Sequence, residues 1–235
     1  MKRIIMAVGD SGVGKSTVCK LLIDLLHSQG KTVKAYSHDN FPKLQAYSNL
    51  ITVERLDFFK DETDQVLEDF TNQQLDVIIV DMPGQCIDRI CDLISKSQLL
   101  KLSAEFDGKL TFIQPISHRL DCLQYMESLL EFAKQQVDYV VIKNQHFDNR
   151  FKNYQSSMQD KLYLNSGVEL SLTKLHTDHY EAMERTNKPY SQIPNDTSVY
   201  VVYRSYIYRW IQNFNDVILN NAVASNYLGL SSCDF

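Results

Sequence analysis

The sequence has no paired cysteine motif. Its five cysteines are an odd number and no Cys-x-x-Cys pair occurs among them; they are Cys19, Cys86, Cys91, Cys122 and Cys233. A zinc site needs clustered ligands and a disulfide framework needs paired cysteines, so neither is indicated. Unpaired thiols are typical of reducing compartments, and we therefore expect a cytoplasmic protein.

Long apolar runs and an excess of positive charge are also missing. No stretch approaches the roughly 18 apolar residues of a membrane-spanning helix. The net charge is −5, so the composition does not indicate a nucleic-acid partner. Binding to nucleic acid would require a local basic patch. The basic start Met1-Lys2-Arg3 leads into a short apolar run, which we interpret as a first strand and not as a signal peptide.

What the sequence does contain is a glycine-rich motif between a predicted strand and a predicted helix. The apolar run Arg3–Val8 predicts a buried strand, and apolar residues at helical spacing follow from Val18 to His27. Between them the chain reads Gly9-Asp10-Ser11-Gly12-Val13-Gly14-Lys15-Ser16-Thr17. This segment fits G-x-x-x-x-G-K-[ST], the phosphate-binding loop of P-loop NTPases, in the strand–loop–helix context that the motif requires.

The residue types of this loop suit the binding of nucleotide phosphates. Glycine lets the backbone approach an anion without a Cβ clash, and consecutive N–H groups at a helix N-terminus then point at it. We expect Lys15 to reach the β- and γ-phosphates and the Ser16 hydroxyl to bind Mg²⁺. Thr17 is expected to donate to the α-phosphate.

Two aspartates follow predicted strands and complete the candidate site. Asp81 ends the apolar run Val77–Val80, where P-loop NTPases place an aspartate that holds Mg²⁺, often through water. The plainer reading is an aspartate that caps the next helix. Asp39 ends the second predicted strand, and it either orients the attacking water or is a solvated turn residue. The candidate catalytic residues are therefore Lys15, Asp39 and Asp81, and the candidate metal ligands are Ser16 and Asp81.

Strand and helix patterns alternate along the whole chain, which favours an α/β fold with a mainly parallel central sheet. Strands are predicted at 3–8, 31–36, 51–55, 77–80, 110–113, 137–142 and 169–172. Helices are predicted at 18–27, 61–72, 87–103, 118–135, 154–164, 178–185 and 198–221. We interpret residues 1–222 as a single three-layer P-loop NTPase domain, with helices on both sides of the sheet, and residues 223–235 as a C-terminal tail.

Small Ras-like GTPases are one alternative, because Asp81-Met82-Pro83-Gly84 fits their D-x-x-G motif. Their guanine-reading Asn-Lys-x-Asp is absent, and the strand after residue 137 ends in Lys143-Asn144-Gln145 instead. The first helix also runs directly into a strand through Gln29–Val33, with no long switch segment between them. The sequence therefore favours ATP over GTP.

The first part of the chain resembles the start of the ParA/MinD-like ATPases, which act in plasmid partition and cell positioning. The resemblance consists of the helix, the Gly-Lys-x-Val strand and the aspartate at the end of that strand. The late segment from Glu181-Ala182 to Asn187-Lys188-Pro189-Tyr190 resembles their E-A…G-K-P-V segment. Within this class the chain is most similar to the TraL/MobD-type ATPases of conjugative plasmid transfer. The similar stretches are Asp39-Asn40, Gln45-Ala46-Tyr47, Val53-Glu54-Arg55-Leu56 and Asp76–Asp81.

The resemblance implies a slow ATP- and Mg²⁺-dependent ATPase that dimerises face to face around the nucleotide and acts on a protein partner of a transfer or positioning system. It implies that Asp39 serves hydrolysis, that Asn144 contacts the adenine, and that Gly84 and Gln85 sense the γ-phosphate. MinD-like proteins bind membranes through a basic C-terminal helix, but residues 221–235 contain no Lys or Arg, so we expect no membrane binding.

Two positions depart from the family pattern. Asp10 stands where the family often has a lysine that crosses the dimer to the partner's phosphates, and a carboxylate there would repel phosphate. We expect Asp10 either to point away or to be compensated by a cation, with Lys143 and Lys152 as candidates. Ser37 replaces the first aspartate of the family's D-x-D-P.

Two other functions remain open from the sequence. One is a P-loop small-molecule kinase or ligase, although no arginine-rich lid is evident. The other is a nucleotide-binding module that has lost hydrolysis, which the changes at Asp10 and Ser37 would fit. His176 and His179 flank Asp178, but without further ligands we interpret them as residues at a helix N-terminus, capped by Asp178, and not as a metal site.

Overall fold

A computed structural model describes residues 1–38, 43–57, 64–71 and 74–230 of the chain. Its centre is a seven-stranded sheet in the order β3-β2-β4-β1-β5-β6-β7, and every neighbouring pair is parallel. The strands are β1 (Lys2–Ala7), β2 (Val33–Ser37), β3 (Thr52–Arg55), β4 (Val77–Asp81), β5 (Gly108–Ile116), β6 (Asp138–Asn144) and β7 (Val168–Leu172). Apolar runs form the central strands because both faces of the sheet are covered.

The helices lie on both faces of the sheet, as the alternating pattern predicts. They are α1 (Lys15–Ser28), α2 (Asp64–Thr71), α3 (Ile87–Lys96), α4 (Leu99–Glu105), α5 (Asp121–Ala133), α6 (Lys152–Ser157), α7 (Gln159–Leu164), α8 (Thr177–Arg185), α9 (Val201–Leu219) and α10 (Ala222–Tyr227). One core cluster joins the sheet to α1, α8, α9 and α10, and a second joins it to α2 through α7. Alternate residues of β1 serve the two clusters: Ile5 faces the first and Ile4 the second.

The strand order places the ligand crevice at the end of β1. The chain leaves β1 through α1 to β2, but β4 inserts between β1 and β2, so β1 has β4 on one side and β5 on the other. Ligands of open parallel sheets bind beyond the carboxyl ends of strands at such a switch point. The register sets Ala7, Asp81 and Ser37 side by side on adjacent strands. The end of β4 therefore lies beside the phosphate-binding motif.

The predicted elements exist, but two long helices are each divided. The helix predicted at 87–103 is α3 and α4, separated at Gln98, whose φ of 52° is left-handed. The helix predicted at 154–164 is α6 and α7, which meet at Met158. Apolar periodicity continues across such breaks, so the pattern alone does not reveal them.

The segment predicted as a tail is folded as far as the structure describes it. Residues 222–227 form α10, whose N-cap Asn221 accepts a hydrogen bond from the Ala224 amide at 3.0 Å. Leu228 and Leu230 are buried in the core. Residues 223–230 are therefore part of the fold and not a tail; the stretch is too short to show a clear helical period, although its two leucines fill the core. Residues 231–235 lie outside the described part.

Within the described ranges, no helix combines the length and the apolar character needed to cross a bilayer.

Candidate functional site

The phosphate loop Gly9–Thr17 connects β1 to α1, in the strand–loop–helix arrangement predicted for its motif. Three of its glycines have positive φ: 128° at Gly9, 75° at Gly12 and 102° at Gly14, the N-cap of α1. Residues with a Cβ rarely adopt these angles, so the glycine spacing sets the shape of the loop. The first amides of α1 have no partner within the helix and are available to an anion.

Lys15 is held inside this loop. Its ammonium donates to the carbonyl oxygens of Gly9 at 3.1 Å and Asp10 at 2.8 Å. Burial lowers the pKa of Lys15 below its ordinary value of 10.5, and the charge of Asp81 partly opposes this effect. A buried ammonium whose hydrogen bonds go to neutral carbonyl groups is well suited to accept an anionic partner.

A cavity of about 550 Å³ opens in front of the loop. Phosphate-loop residues line it together with Lys43, Asp81 and Gly84, and we call this part of the lining the phosphate end. His146, Phe147 and Tyr180 also line it and lie close to one another, and we call this part the aromatic end. His38, Asn144 and Trp210 are also among the lining residues. A nucleotide likewise combines anionic phosphates with a planar base.

Asp81 lines the cavity at its phosphate end and is buried, and its role as a metal ligand stays a prediction. Its neighbour across the β2–β4 register is Ser37, which departs from the family pattern. The Ser37 hydroxyl is buried and has no hydrogen-bond partner among the described atoms. Together with the Ser16 hydroxyl, which also lines the cavity, this end offers the oxygen ligands and outer-sphere acceptors that Mg²⁺ prefers. Asp39, the predicted hydrolytic aspartate, lies outside the described residues.

Asp10 is turned inward and neutralised within the same chain. The side chain is buried, and Arg119 Nη2 donates to Asp10 Oδ2 at 2.8 Å. The compensating cation is therefore Arg119 and not Lys143 or Lys152. Lys143 pairs with Glu169 at 2.9 Å instead.

The loop after β4, residues 82–86, packs directly on the phosphate loop. A Cβ on Gly84 would lie 2.3 Å from Ser11 Oγ, so only glycine fits this approach. Gln85 has a φ of 59° and donates through Nε2 to Asp10 Oδ1 at 2.9 Å. The two residues predicted to sense the γ-phosphate thus contact the phosphate loop itself.

Asn144, the last residue of β6, forms a hydrogen bond with the phosphate loop. Its Nδ2 donates to the Val13 carbonyl at 2.9 Å, and its Oδ1 accepts from the His146 amide at 3.1 Å. A Cβ on Gly14 would come within 2.6 Å of Asn144 Nδ2, so the two residues are fitted to each other. Asn144 lines the cavity, and its contact with a base stays a prediction.

The aromatic end of the cavity contains residues that sequence reasoning missed. Phe147 is exposed and meets His146 edge-on at 4.6 Å between ring centroids, while His146 lies 5.9 Å from Tyr180. Burial, with a smaller effect of Lys174, lowers the pKa of His146, so its ring is neutral at pH 7. The available signal was their position just after a predicted strand, where ligand-binding residues of parallel sheets gather.

Thr17 connects the phosphate loop to a hydrogen-bond network with α8. Its Oγ1 lies 2.7 Å from the Tyr180 hydroxyl, and its contact with an α-phosphate stays a prediction. Glu184 on the same helix accepts from Lys20 of α1 at 2.7 and 2.9 Å and also from the Tyr190 hydroxyl. Helix α8 is thereby fixed to the helix that begins at the phosphate loop.

The histidines at the start of α8 are placed as expected of a helix N-terminus, but the cap differs. His176 is the N-cap and accepts from the Asp178 amide at 3.3 Å, so the prediction of Asp178 as the cap is wrong. Across the described ranges no group of three or more His, Cys, Asp and Glu side chains is arranged to hold a metal ion.

Comparison with known proteins gives matches among solved structures alone: no protein-family model matches the chain, and no curated protein matches it. MinD of Aquifex aeolicus is 12% identical with a TM-score of 0.51, over 91% of this chain and 96% of that chain. The septum site-determining protein MinD of Pyrococcus horikoshii, complexed with Mg-ADP, is 14% identical with a TM-score of 0.52, over 91% and 95%. A plasmid partition protein of Borrelia burgdorferi bound to AMPPNP is 15% identical with a TM-score of 0.52, over 91% and 99%.

Identities this low show a shared fold and nothing finer. The predicted fold class, a single α/β domain with a parallel sheet between helical layers, is confirmed. The chain folds like the MinD- and plasmid-partition-type P-loop proteins.

Proposed function

We propose that this protein is a Mg²⁺-dependent ATPase of the ParA/MinD-like class, which binds ATP in the cavity before the phosphate loop and hydrolyses it slowly. The observation that supports this most is the cavity itself. Its lining includes both the buried ammonium of Lys15 and the aromatic side chains of His146 and Phe147. Two proteins of similar fold were solved with Mg-ADP and with AMPPNP, which is consistent with the proposal.

The proposed metal site uses Ser16 and Asp81. A hydroxyl and a carboxylate at the phosphate end match the oxygen donors of Mg²⁺ sites in P-loop NTPases. The unpaired hydroxyl of Ser37 beside Asp81 is a suitable acceptor for a metal-bound water. Mg²⁺ bound there would neutralise phosphate charge, and Lys15 would do so from within the loop.

We propose adenine as the base because the guanine-reading Asn-Lys-x-Asp is absent after β6. A carboxylate in that motif binds the guanine edge, whereas this chain presents Asn144, a neutral His146 and Phe147. The proposed base position lies between these side chains and Tyr180, where ring stacking adds affinity without a charged partner.

The biological role belongs to the same proposal. A slow ATPase of this class would act as a nucleotide-dependent homodimer that engages a protein partner, in plasmid transfer of the TraL/MobD type or in partition or positioning. Because Asp10 is turned inward, the cation that the family's lysine supplies to the partner's phosphates would not come from this position.

Isothermal titration calorimetry with ATP, GTP and ADP, with and without Mg²⁺, tests the binding proposal. We expect ATP to bind more tightly than GTP, and Mg²⁺ to strengthen ATP binding. Lys15→Ala is expected to weaken ATP binding about 10- to 100-fold, which is the effect expected when charge-assisted hydrogen bonds are lost. Lys96→Ala removes an exposed lysine of α3 and is the matched control, expected to bind like the wild type.

Hydrolysis and assembly are tested on the same preparations. Phosphate release from ATP should be slow in the wild type and lost in Asp39→Ala. Light scattering after size exclusion should show more dimer with AMPPNP than with ADP. Equal affinity for ATP in Lys15→Ala and Lys96→Ala would contradict the proposed site, whereas an unchanged dimer fraction would contradict the switch alone.

A further inference from the structure

Asp10 is the meeting point of three segments of the chain. Its Oδ1 accepts from the Ser11 amide at 2.7 Å and from Gln85 Nε2 at 2.9 Å, and its Oδ2 accepts from Arg119 Nη2 at 2.8 Å. The carboxylate is only 4% exposed. Three donors, one of them cationic, compensate the carboxylate for the loss of water, whereas an unpaired buried carboxylate would lack this compensation.

Arg119 holds the phosphate loop at two points. The nitrogen that bonds Asp10 also donates to the Ser11 carbonyl at 2.8 Å, and Nε donates to the Ser117 hydroxyl at 3.3 Å. Arg119 belongs to the β5–α5 loop, residues 117–120, which leaves the strand next to β1. It therefore reaches the phosphate loop from the opposite side to Asp81, and it does not line the cavity.

Because Asp10 is negatively charged, its ion pair with Arg119 affects the affinity of the loop for an anionic ligand. A carboxylate in the loop that receives phosphates raises the free energy of the bound anion through Coulomb repulsion, most strongly where water is excluded. The Asp10 carbonyl also accepts from Lys15 at 2.8 Å, so the backbone of the same residue helps to place the phosphate-binding ammonium. Displacement of Asp10 would disturb the charge of the loop and its geometry together.

We propose that Arg119 is a positioning residue for nucleotide binding. It neutralises Asp10 and fixes the phosphate loop without touching the nucleotide. Through Asp10 it also sets the loop 82–86, because Gln85 shares the carboxylate and Gly84 rests on Ser11. The inference rests on the proposed nucleotide binding and adds to it an internal ion pair that neutralises the carboxylate at position 10.

A double-mutant cycle tests this role by calorimetry with Mg-ADP and Mg-AMPPNP. Arg119→Ala is expected to weaken binding of both by about 10- to 100-fold, the range for a lost charged hydrogen bond. The loss should be larger for AMPPNP, which carries more negative charge. Asp10→Asn should have a smaller effect, and the double variant Arg119→Ala/Asp10→Asn should recover to near the Asp10→Asn value, because the uncompensated charge is then gone.

Two further variants make the cycle decisive. Arg119→Lys keeps the charge but not the guanidinium fork, and should fall between wild type and Arg119→Ala. Arg150→Ala removes an exposed arginine paired with Asp148 and should bind like the wild type. Circular dichroism verifies that each variant is folded; if Arg119→Ala does not fold, the comparison of Arg119→Lys with Arg119→Lys/Asp10→Asn carries the test.

The possible outcomes distinguish a failure of this inference from a failure of the proposed function. Wild-type protein that binds neither nucleotide overturns the proposed function and this inference with it. Wild-type binding with additive effects of the two substitutions, or with equal losses for ADP and AMPPNP, overturns the inference alone, because a purely structural role of Arg119 depends neither on Asp10 nor on ligand charge.

Discussion

Lys15 is a buried cation within the candidate site. Two backbone carbonyls of its own loop accept hydrogen bonds from its ammonium. Carbonyl dipoles compensate a cation less well than water does, which is why its pKa is lowered. A phosphate group would supply the missing negative charge.

The first prediction concerns the proton of Lys15. At alkaline pH below 10.5, part of the nucleotide-free protein carries a neutral Lys15, and bound phosphates favour the charged form. Mg-ADP binding should therefore take up a proton in that range, and affinity should fall as the pH rises. Calorimetry in two buffers of different ionisation enthalpy measures the uptake. Lys96→Met should leave it unchanged, and proton release in the wild type would contradict the assignment.

The second prediction concerns Asn144, which donates to Val13 in the phosphate loop. Asn144→Ala removes a neutral hydrogen bond and should weaken Mg-ADP binding by about 2- to 10-fold. Asn144→Asp should be worse, because it places a carboxylate against the Val13 carbonyl and near the phosphates. Asn153→Ala, on an exposed position of α6, is the control. Equal affinities in Asn144→Asp and wild type would show that the amide donor does not matter.

At the scale of elements, α8 connects the base end of the cavity to α1. The helix carries Tyr180, which bonds Thr17, and Glu184, which pairs with the partly buried Lys20. Lys20 also lies 5.2 Å from the Tyr190 ring centroid. Helix α8 is thus held by polar contacts to α1, the helix that begins with Lys15.

The third prediction compares two glutamates of α8. Glu184→Ala leaves Lys20 without its carboxylate and should lower the free energy of unfolding by about 1–3 kcal/mol. Glu181→Ala breaks only an exposed pair with Arg185 and should cost about 0.5 kcal/mol or less. Urea unfolding of both variants without nucleotide measures the difference. Equal stabilities would mean that the Lys20–Glu184 pair contributes no more than a surface ion pair.

At the scale of the whole molecule, the chain between 222 and 230 closes the core. Thr111 of β5 donates to the Tyr227 carbonyl at 2.6 Å, and Gly229 passes close to Val77 and Arg3, leaving little room for a side chain. Leu228 is fully buried in the cluster that includes α1 and α9. The end of the described chain is therefore part of the fold that carries the site.

The fourth prediction follows from that burial. Leu228→Ala should lower the free energy of unfolding by about 2–5 kcal/mol, since it removes buried methyl groups and leaves a cavity. Val223→Ala, five residues earlier and 47% exposed, should change it by about 0.5 kcal/mol or less. Urea unfolding monitored by circular dichroism compares them. Similar midpoints for both variants would indicate that residues 222–230 do not stabilise the domain.

Sequence alone was sufficient for the phosphate loop, the strand-end position of Asp81 and the α/β fold class. Each depends on local features: glycines where φ must be positive, a lysine at the start of a helix, and apolar runs that report burial on both faces of a sheet. Such signals lie within a few residues of one another. These features can therefore be recognised in the sequence without knowledge of the tertiary structure.

Only the tertiary structure decided what happens to Asp10. The strand predicted at 110–113 continues to Ile116, and the loop that follows this extension carries Arg119 to the phosphate loop. Asp10 and Arg119 lie 109 residues apart, so no local pattern connects them. The sequence revealed a negative charge within the motif predicted to bind phosphate. The order of β1 and β5 in the sheet places the cation that neutralises it.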